Sequence, residues 1–210
     1  MTPTPTALRE YDRAAPDRGA TETATFALGC FWGPDAQFGA MDGVVRTRVG
    51  YAGGTEPDPS YHSLGEHTEA FQVDYDPGGR SFVDLLDTVF ANHSPTRQTR
   101  KTQYQNVVFA TTPDQHDAID TYLEEYDLPV SEVETRVERL DRFHPAEDYH
   151  QKYNLRSARR IVDAFEEAGY DDADIRESPT AAKLNGQAAG HDVPSIPELG
   201  IEDDPLAGRR

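Results

Sequence analysis

Cys30 is the only cysteine in the 210 residues, and it stands in the run Gly-Cys-Phe-Trp-Gly at 29–33 beside the only tryptophan, Trp32. A lone thiol cannot close an internal disulfide, so its chemistry is that of a nucleophile, a redox centre or a small buried apolar side chain. On residue type alone the buried role is the commoner one. The surroundings favour the nucleophile. Residues 23–29 read as a short buried strand that ends at Gly29, and a helical run follows from Cys30 to about Met41. A cysteine in the first turn of a helix faces unpaired N–H groups and the positive end of the dipole, which favour thiolate over thiol.

The elements that must position these residues are legible. "VVRTRVGYA" (44–52) and "EAFQVDYD" (69–76) read as strands separated by a Gly- and Pro-containing loop. "SFVDLLDTVFANH" (81–93) carries Phe82, Leu85, Leu86, Val89 and Phe90 at helical spacing. "QYQNVVFA" (103–110) predicts a strand. The segment 112–126 predicts a helix with Thr112 as its N-cap and Pro113 at its first position. "VSEVETRVERL" (130–140) predicts a closing strand, and a helical stretch is expected from "HPAEDYHQKY" to Ala168. The order predicts an α/β (α+β) fold, a two-layer α/β sandwich of split βαβ (ferredoxin-like) type. Residues 1–22 are expected as a flexible arm, 23–168 as the catalytic domain and 169–210 as a largely irregular extension. Within the extension, 178–191 suggests a short Gly-capped helix docked on the domain, and 191–210 reads as disordered.

Composition excludes several partners. Thirty-eight acidic against 20 basic residues leave a formal charge of −18, and only three of the basic residues are lysines: Lys101, Lys152 and Lys183. Such a surface repels phosphate backbones and anionic lipids, so neither nucleic acid nor membrane is an expected partner. Acidic, lysine-poor surfaces suit a salt-rich cytoplasm, where screening relieves self-repulsion. The expectation is therefore a cytoplasmic, halophilic protein. No segment has the apolar length of a signal peptide or membrane span. His67, His93, His144 and His150 are scattered, and no metal site or cofactor is predicted from them.

Five ordered segments, "GCFWG", "VGYAGG", "PSYHSLGEHTEAFQVDYDP", "QYQNVVF" and "FHPAEDYHQKY", resemble the peptide methionine sulfoxide reductases of the A type. The resemblance runs from Thr23 to about Arg156. It implies reduction of the S epimer of methionine sulfoxide, free or in proteins, without metal or organic cofactor. It further implies that Cys30 attacks the sulfoxide sulfur, Phe31 and Trp32 hold the substrate's methyl group, Glu69 supplies a proton, and Tyr61 and Tyr104 hydrogen-bond the sulfoxide oxygen. Glu147, Asp148 and His150 would shape the rim of the pocket.

Two departures stand out. Where the family usually has an Asp-x-Gly before Gln103-Tyr104, this chain has "RQTRKTQY", with Thr99 and Lys101 at those places. Many relatives resolve a sulfenic acid with a second cysteine near the C-terminus, and this sequence has none. An external thiol, such as a thioredoxin-like protein, is therefore expected to reduce Cys30. The alternative is a non-catalytic sulfoxide-binding protein that keeps the pocket.

Overall fold

The computed structural model describes residues 2–125 and 130–202. After a helix α1 (Pro5–Ala14), the chain builds a six-stranded sheet with its crossover helices. β1 (Glu22–Leu28) is followed by α2 (Trp32–Ala40), β2 (Val44–Ala52), β3 (Thr68–Tyr75), α3 (Phe82–Ala91), β4 (Asn106–Ala110), α4 (Pro113–Glu125), β5 (Arg136–Arg139) and β6 (Phe143–Pro145). The strand order is β5-β4-β1-β3-β2-β6. β3 lies between β1 and β2, antiparallel to both, and β1 lies between β3 and β4 in the same way. The crossovers through α2 and α3 therefore each skip one strand, which is the expected split βαβ arrangement, whereas α4 joins the neighbouring strands β4 and β5. β5 extends the sheet in parallel on β4, and β6 adds antiparallel to β2.

The predicted helical spacing in α3 is what buries Phe82, Leu85, Leu86, Val89 and Phe90, and Ser81 caps the helix through a reciprocal pair with Asp84. These side chains join Phe26, Phe38, Phe71 and Val108 in the main core on one face of the sheet. Thr112 caps α4 by accepting from the Gln115 N–H at 3.2 Å, as predicted. The opposite face carries a smaller cluster, Ala27, Ala52, Ala70, Val107 and Phe109.

Several elements are shorter than the sequence pattern suggests. The last predicted strand is confined to β5 behind a 3-10 turn at Val130–Glu132, and residue 126, the end of the helix predicted at 112–126, lies outside the described residues. The strand expected from Gln103 starts at Asn106, because Thr102–Tyr104 form a 3-10 turn. The helix expected from 144 onward is broken. β6 and a 3-10 turn (Asp148–His150) come first, then Lys152 in the left-handed region (φ 52°), and only then α5 (Tyr153–Ser157) and α6 (Arg159–Glu167). The competing interaction is visible at buried Gln151, whose amide donates to the carbonyls of Val49 (2.8 Å) and Ala146 (2.9 Å) and accepts from the Val49 N–H (3.0 Å). A side chain that serves as a strand partner holds this segment against β2 instead of in a helix.

The two ends of the chain also differ from expectation. Residues 5–14, placed in a flexible arm, form α1, with Thr4 as N-cap and Pro5 in the first turn. Residues 169–202 are not irregular: α7 (Asp172–Glu177) and α8 (Pro179–Ala188) occupy them, α8 being the docked helix the sequence suggested. The stretch expected as disordered from 191 carries a bridge between Ile196 and Ile201 around a 3-10 turn, and 203–210 lie outside the described residues. Leu8, Leu155, Phe165, Ile175, Leu184, Leu199 and Ile201 form a second core. Its contributors are separated by up to nearly the whole chain, so no local window shows it. α8 approaches α2 so closely that a Cβ at Gly186 would fall 2.7 Å from Ala40 Cβ, and one at Gly39 would fall 2.6 Å from the Ala182 carbonyl oxygen. Among the described residues no helix is long and apolar enough to cross a membrane.

Candidate active site

Gly29 ends β1 with φ +70°, a left-handed turn that lifts the chain out of the strand. Cys30 follows and reaches solvent. Helix α2 starts only at Trp32, so Cys30 precedes the helix instead of occupying its first turn. The expected activation is correspondingly reversed in the resting protein. Partial desolvation pushes the thiol above its ordinary value, the Trp32 N–H that donates to sulfur pulls it down, and the charge of Glu69 raises it further.

Glu69, on β3 opposite Tyr51, is 1% exposed. Its Oε2 accepts from the Phe31 N–H at 3.2 Å and its Oε1 from Gln103 Nε2 at 2.7 Å. One carboxyl group thus ties the turn after β1 to the 3-10 turn before β4. Burial holds it above the ordinary carboxylate range despite the lowering by Gln103, Phe31 and Lys101. Tyr104, on that 3-10 turn, is hydrogen-bonded by Tyr61 and lies within electrostatic reach of Cys30 and Glu69. Desolvation, then Tyr61, push its hydroxyl to about 12, so it stays a donor at neutral pH.

The apolar wall is built from both ends of the sheet. Phe31, 1% exposed, packs against Tyr51 (centroids 6.0 Å apart) and edge-on against His150 (5.2 Å). Trp32 stacks on Tyr153 at 3.8 Å, and its indole N–H donates to His150 Nδ1 at 3.2 Å. That bond assigns His150 as the neutral tautomer, consistent with burial lowering its pKa. Tyr61 packs on the same imidazole at 4.8 Å. Glu147 accepts from the Tyr51 hydroxyl (2.7 Å) and the Tyr61 N–H (2.9 Å). Burial pushes Glu147 up, yet these two donors outweigh it and leave the carboxylate below its ordinary value.

All six residues singled out in the sequence therefore converge on one site. Gln103, Tyr51 and Tyr153 join them and were not singled out. All three lie in the segments that carry the resemblance, in "QYQNVVF", "VGYAGG" and "FHPAEDYHQKY", and none was given a role there. Beneath the site, Asp35 and Lys152 are both buried and meet at 3.4 Å, with Asn185 of α8 donating to Asp35 at 2.9 Å and accepting from the N–H groups of Asn154 and Leu155. This network joins α2, α5 and α8 behind Trp32 and Tyr153. Among the described residues no group of three or more His, Cys, Asp or Glu side chains is arranged to hold a metal ion.

A solvent-reaching thiol, a buried carboxyl group with a raised pKa and two hydroxyls thus lie together beside an aromatic wall on a split βαβ sheet. Residues 22–179 match the family model described as "Peptide methionine sulfoxide reductase". The chain is 40% identical over 171 residues to "Peptide methionine sulfoxide reductase" of Drosophila melanogaster, covering 80% of this chain and 68% of that one. It is 35% identical over 182 residues to "Peptide methionine sulfoxide reductase A5" of Arabidopsis thaliana, covering 83% and 70%. The solved structure "Methionine sulfoxide reductase A of Corynebacterium diphtheriae" superposes with a TM-score of 0.62 at 30% identity, covering 68% of this chain and 78% of that one. The chain belongs to the peptide methionine sulfoxide reductase family, and its reaction is thiol-dependent reduction of methionine sulfoxide.

Proposed function

We propose that Cys30 is the nucleophile that reduces the S epimer of methionine sulfoxide, with Glu69 as its acid. The sulfoxide sulfur sits against Cys30 Sγ, the methyl group lies against Phe31 and Trp32, and the oxygen faces Glu69, Tyr61 and Tyr104. A sulfoxide oxygen is a poor leaving group until it is protonated. Glu69 gives its proton to that oxygen as the Cys30 thiolate attacks sulfur, and the two tyrosine hydroxyls donate to the same oxygen. Attack forms a bond between Cys30 Sγ and the substrate sulfur as the S–O bond breaks; the departed oxygen, as hydroxide or water, then attacks Sγ and breaks the Sγ–S bond, leaving Cys30 as a sulfenic acid and methionine as the thioether. The cysteine sulfur is oxidised by two electrons and the substrate sulfur reduced by two.

A first external thiol then attacks the sulfenic acid to form a mixed disulfide and water. A second thiol releases Cys30 and leaves as part of the reductant's disulfide. With no second cysteine in this sequence, both thiols come from outside, and a thioredoxin-like protein or a small cytoplasmic thiol fits the requirement. The charge of −18 with three lysines supports a salt-rich cytoplasm as the working medium.

The observation that carries this reading is the buried Glu69 carboxyl, bonded to the backbone of the residue next to Cys30 and kept easy to protonate by its surroundings. The test is incubation of the separated S and R epimers of a blocked methionine sulfoxide with the protein and excess dithiol in high salt. The S epimer is consumed and the R epimer persists; consumption of neither overturns the proposal.

A further inference from the structure

The chain has three lysines, and two are taken up inside the fold. Lys152 is fully buried on Asp35 and the Thr47 carbonyl, and Lys183 donates to the carbonyls of Gly39, Met41 and Val44. Lys101 is the single exposed lysine of the protein, and it stands at the lip of the active site. Its ammonium lies 4.4 Å from the centre of the Tyr104 ring and acts electrostatically on Glu69. Arg97 and Arg100, both exposed, precede it, so three cations fall within five residues of a chain whose net charge is −18. Among the described residues none of the three has a carboxylate within ion-pair distance.

The loop that presents them is anchored. Gln98 bonds both the N–H (2.9 Å) and the carbonyl (2.9 Å) of Asn106, Gln105 Nε2 donates to the Thr99 carbonyl (3.0 Å), and the Lys101 N–H donates to Thr99 Oγ1 (3.3 Å). Thr68 Oγ1 on β3 donates to the Thr102 carbonyl at 2.9 Å, directly beside Glu69. An anchored loop therefore carries an ammonium without a carboxylate partner among the described residues next to a site that, in the proposed reaction, handles only a neutral sulfoxide. Only two methylenes separate the sulfur of methionine sulfoxide from its Cα, so the backbone of a substrate seated on Cys30 lies at this lip.

We infer that Lys101 is a specificity residue that receives a carboxylate carried by the substrate beside the reacting methionine sulfoxide. The carboxylate is either the α-carboxylate of a chain-terminal or free methionine sulfoxide or the side chain of a neighbouring Glu or Asp. This inference rests on the proposed reaction at Cys30, and the field of Arg97 and Arg100 reinforces the attraction without needing contact.

The experiment compares kcat/KM for four S-epimer substrates: a methionine sulfoxide blocked at both ends, the N-blocked form with a free α-carboxylate, and blocked peptides with Glu or with Lys beside the methionine sulfoxide. A solvent-exposed pair of unit charges about 4 Å apart gives roughly a five-fold preference at best. The expected result is an advantage of roughly two- to five-fold for a carboxylate-bearing substrate over the neutral one at ~0.1 M ionic strength, and a disadvantage for the Lys peptide. The advantage shrinks as ionic strength rises toward ~1 M, where a screening length of about 3 Å removes the field of the more distant cations and leaves the pair in direct contact. Whichever acidic substrate shows the gain identifies the source of the carboxylate. Lys101→Gln flattens the series and Lys101→Glu inverts it. Because these are ratios within one preparation, a general loss of rate in a variant does not affect them. Equal kcat/KM for all four substrates in the unmodified protein, or an unchanged order in Lys101→Glu, overturns the inference while leaving the reaction standing. Failure to reduce even the neutral substrate overturns the reaction itself.

Discussion

Replacing Glu69 with glutamine removes the proton and keeps the shape. In the structure both carboxylate oxygens accept, one from the Phe31 N–H and one from Gln103 Nε2. A glutamine oxygen can keep one of these bonds, and the Gln103 amide can flip to accept from the new NH2, so the variant folds with a change of about 1 kcal/mol or less. The kinetic effect follows from the two raised pKa values. The reactive form carries a Cys30 thiolate and a protonated Glu69. Cys30 is held above the ordinary thiol value, and Glu69, though raised, belongs to a class that ionises far below a thiol, so this form is a minority at every pH. Its fraction is constant between the two pKa values, falls on the acid side as the thiolate is lost, and falls on the alkaline side as the acid is lost. In Glu69→Gln the second requirement disappears. The rate then climbs with pH until Cys30 is ionised, at a lower pH than before because the charge of Glu69 no longer opposes the thiolate. At neutral pH the expected loss is roughly a hundred- to ten-thousand-fold, the usual contribution of a positioned general acid. The assay is kcat/KM for a neutral blocked S-epimer substrate from pH 5 to 10. A rate within about three-fold of the unmodified protein, with the alkaline fall intact, refutes Glu69 as the acid. Stability supplies an independent sign. The folded protein holds Glu69 above its unfolded value, so stability falls as pH rises from the unfolded value through the folded one, and the variant gains in Tm relative to the unmodified protein over that same span.

Three further outcomes are expected. Cys30→Ser abolishes turnover with little change in Tm, since the side chain reaches solvent and a hydroxyl is hardly ionised at neutral pH; the unmodified protein without reductant releases one methionine per chain and gains one dimedone-reactive oxygen by mass spectrometry. Asp35→Ala leaves Lys152 buried without its carboxylate and costs about 3–5 kcal/mol in denaturant unfolding, whereas a surface pair such as Arg159 with Asp163 contributes less than about 1 kcal/mol. Gly186→Ala forces a methyl group to within 2.7 Å of Ala40 and costs about 1–3 kcal/mol by the same measurement, with no change expected in the pH profile of the remaining activity.

Local pattern determined much of this protein. The pattern of 44–52, 69–76 and 81–93 placed β2, β3 and α3 to within a residue or two, because α3 buries its apolar face, while β2 and β3, buried along nearly their whole length, stand out as runs of β-formers. Cys30, Phe31 and Trp32 are contiguous, so their types and order suffice to mark the site. The thiol's electrostatics depended on tertiary placement: Cys30 falls before α2, and the burial and proximity of Glu69, a residue 39 positions away, raise its pKa where the helix argument alone lowers it. The segment 144–153 has helical composition, yet Gln151 meets an unpaired stretch of β2 backbone and Lys152 meets Asp35, and those long-range bonds override propensity. The ends of the chain show the same division. Thr4 and Pro5 are a readable helix start, and Pro179 with Gly190 brackets α8. What no local window contains is the apolar surface that Leu8, Leu184 and Ile201 bury together, because each segment has too few apolar side chains to offset the entropy of ordering it and becomes structured only against the others.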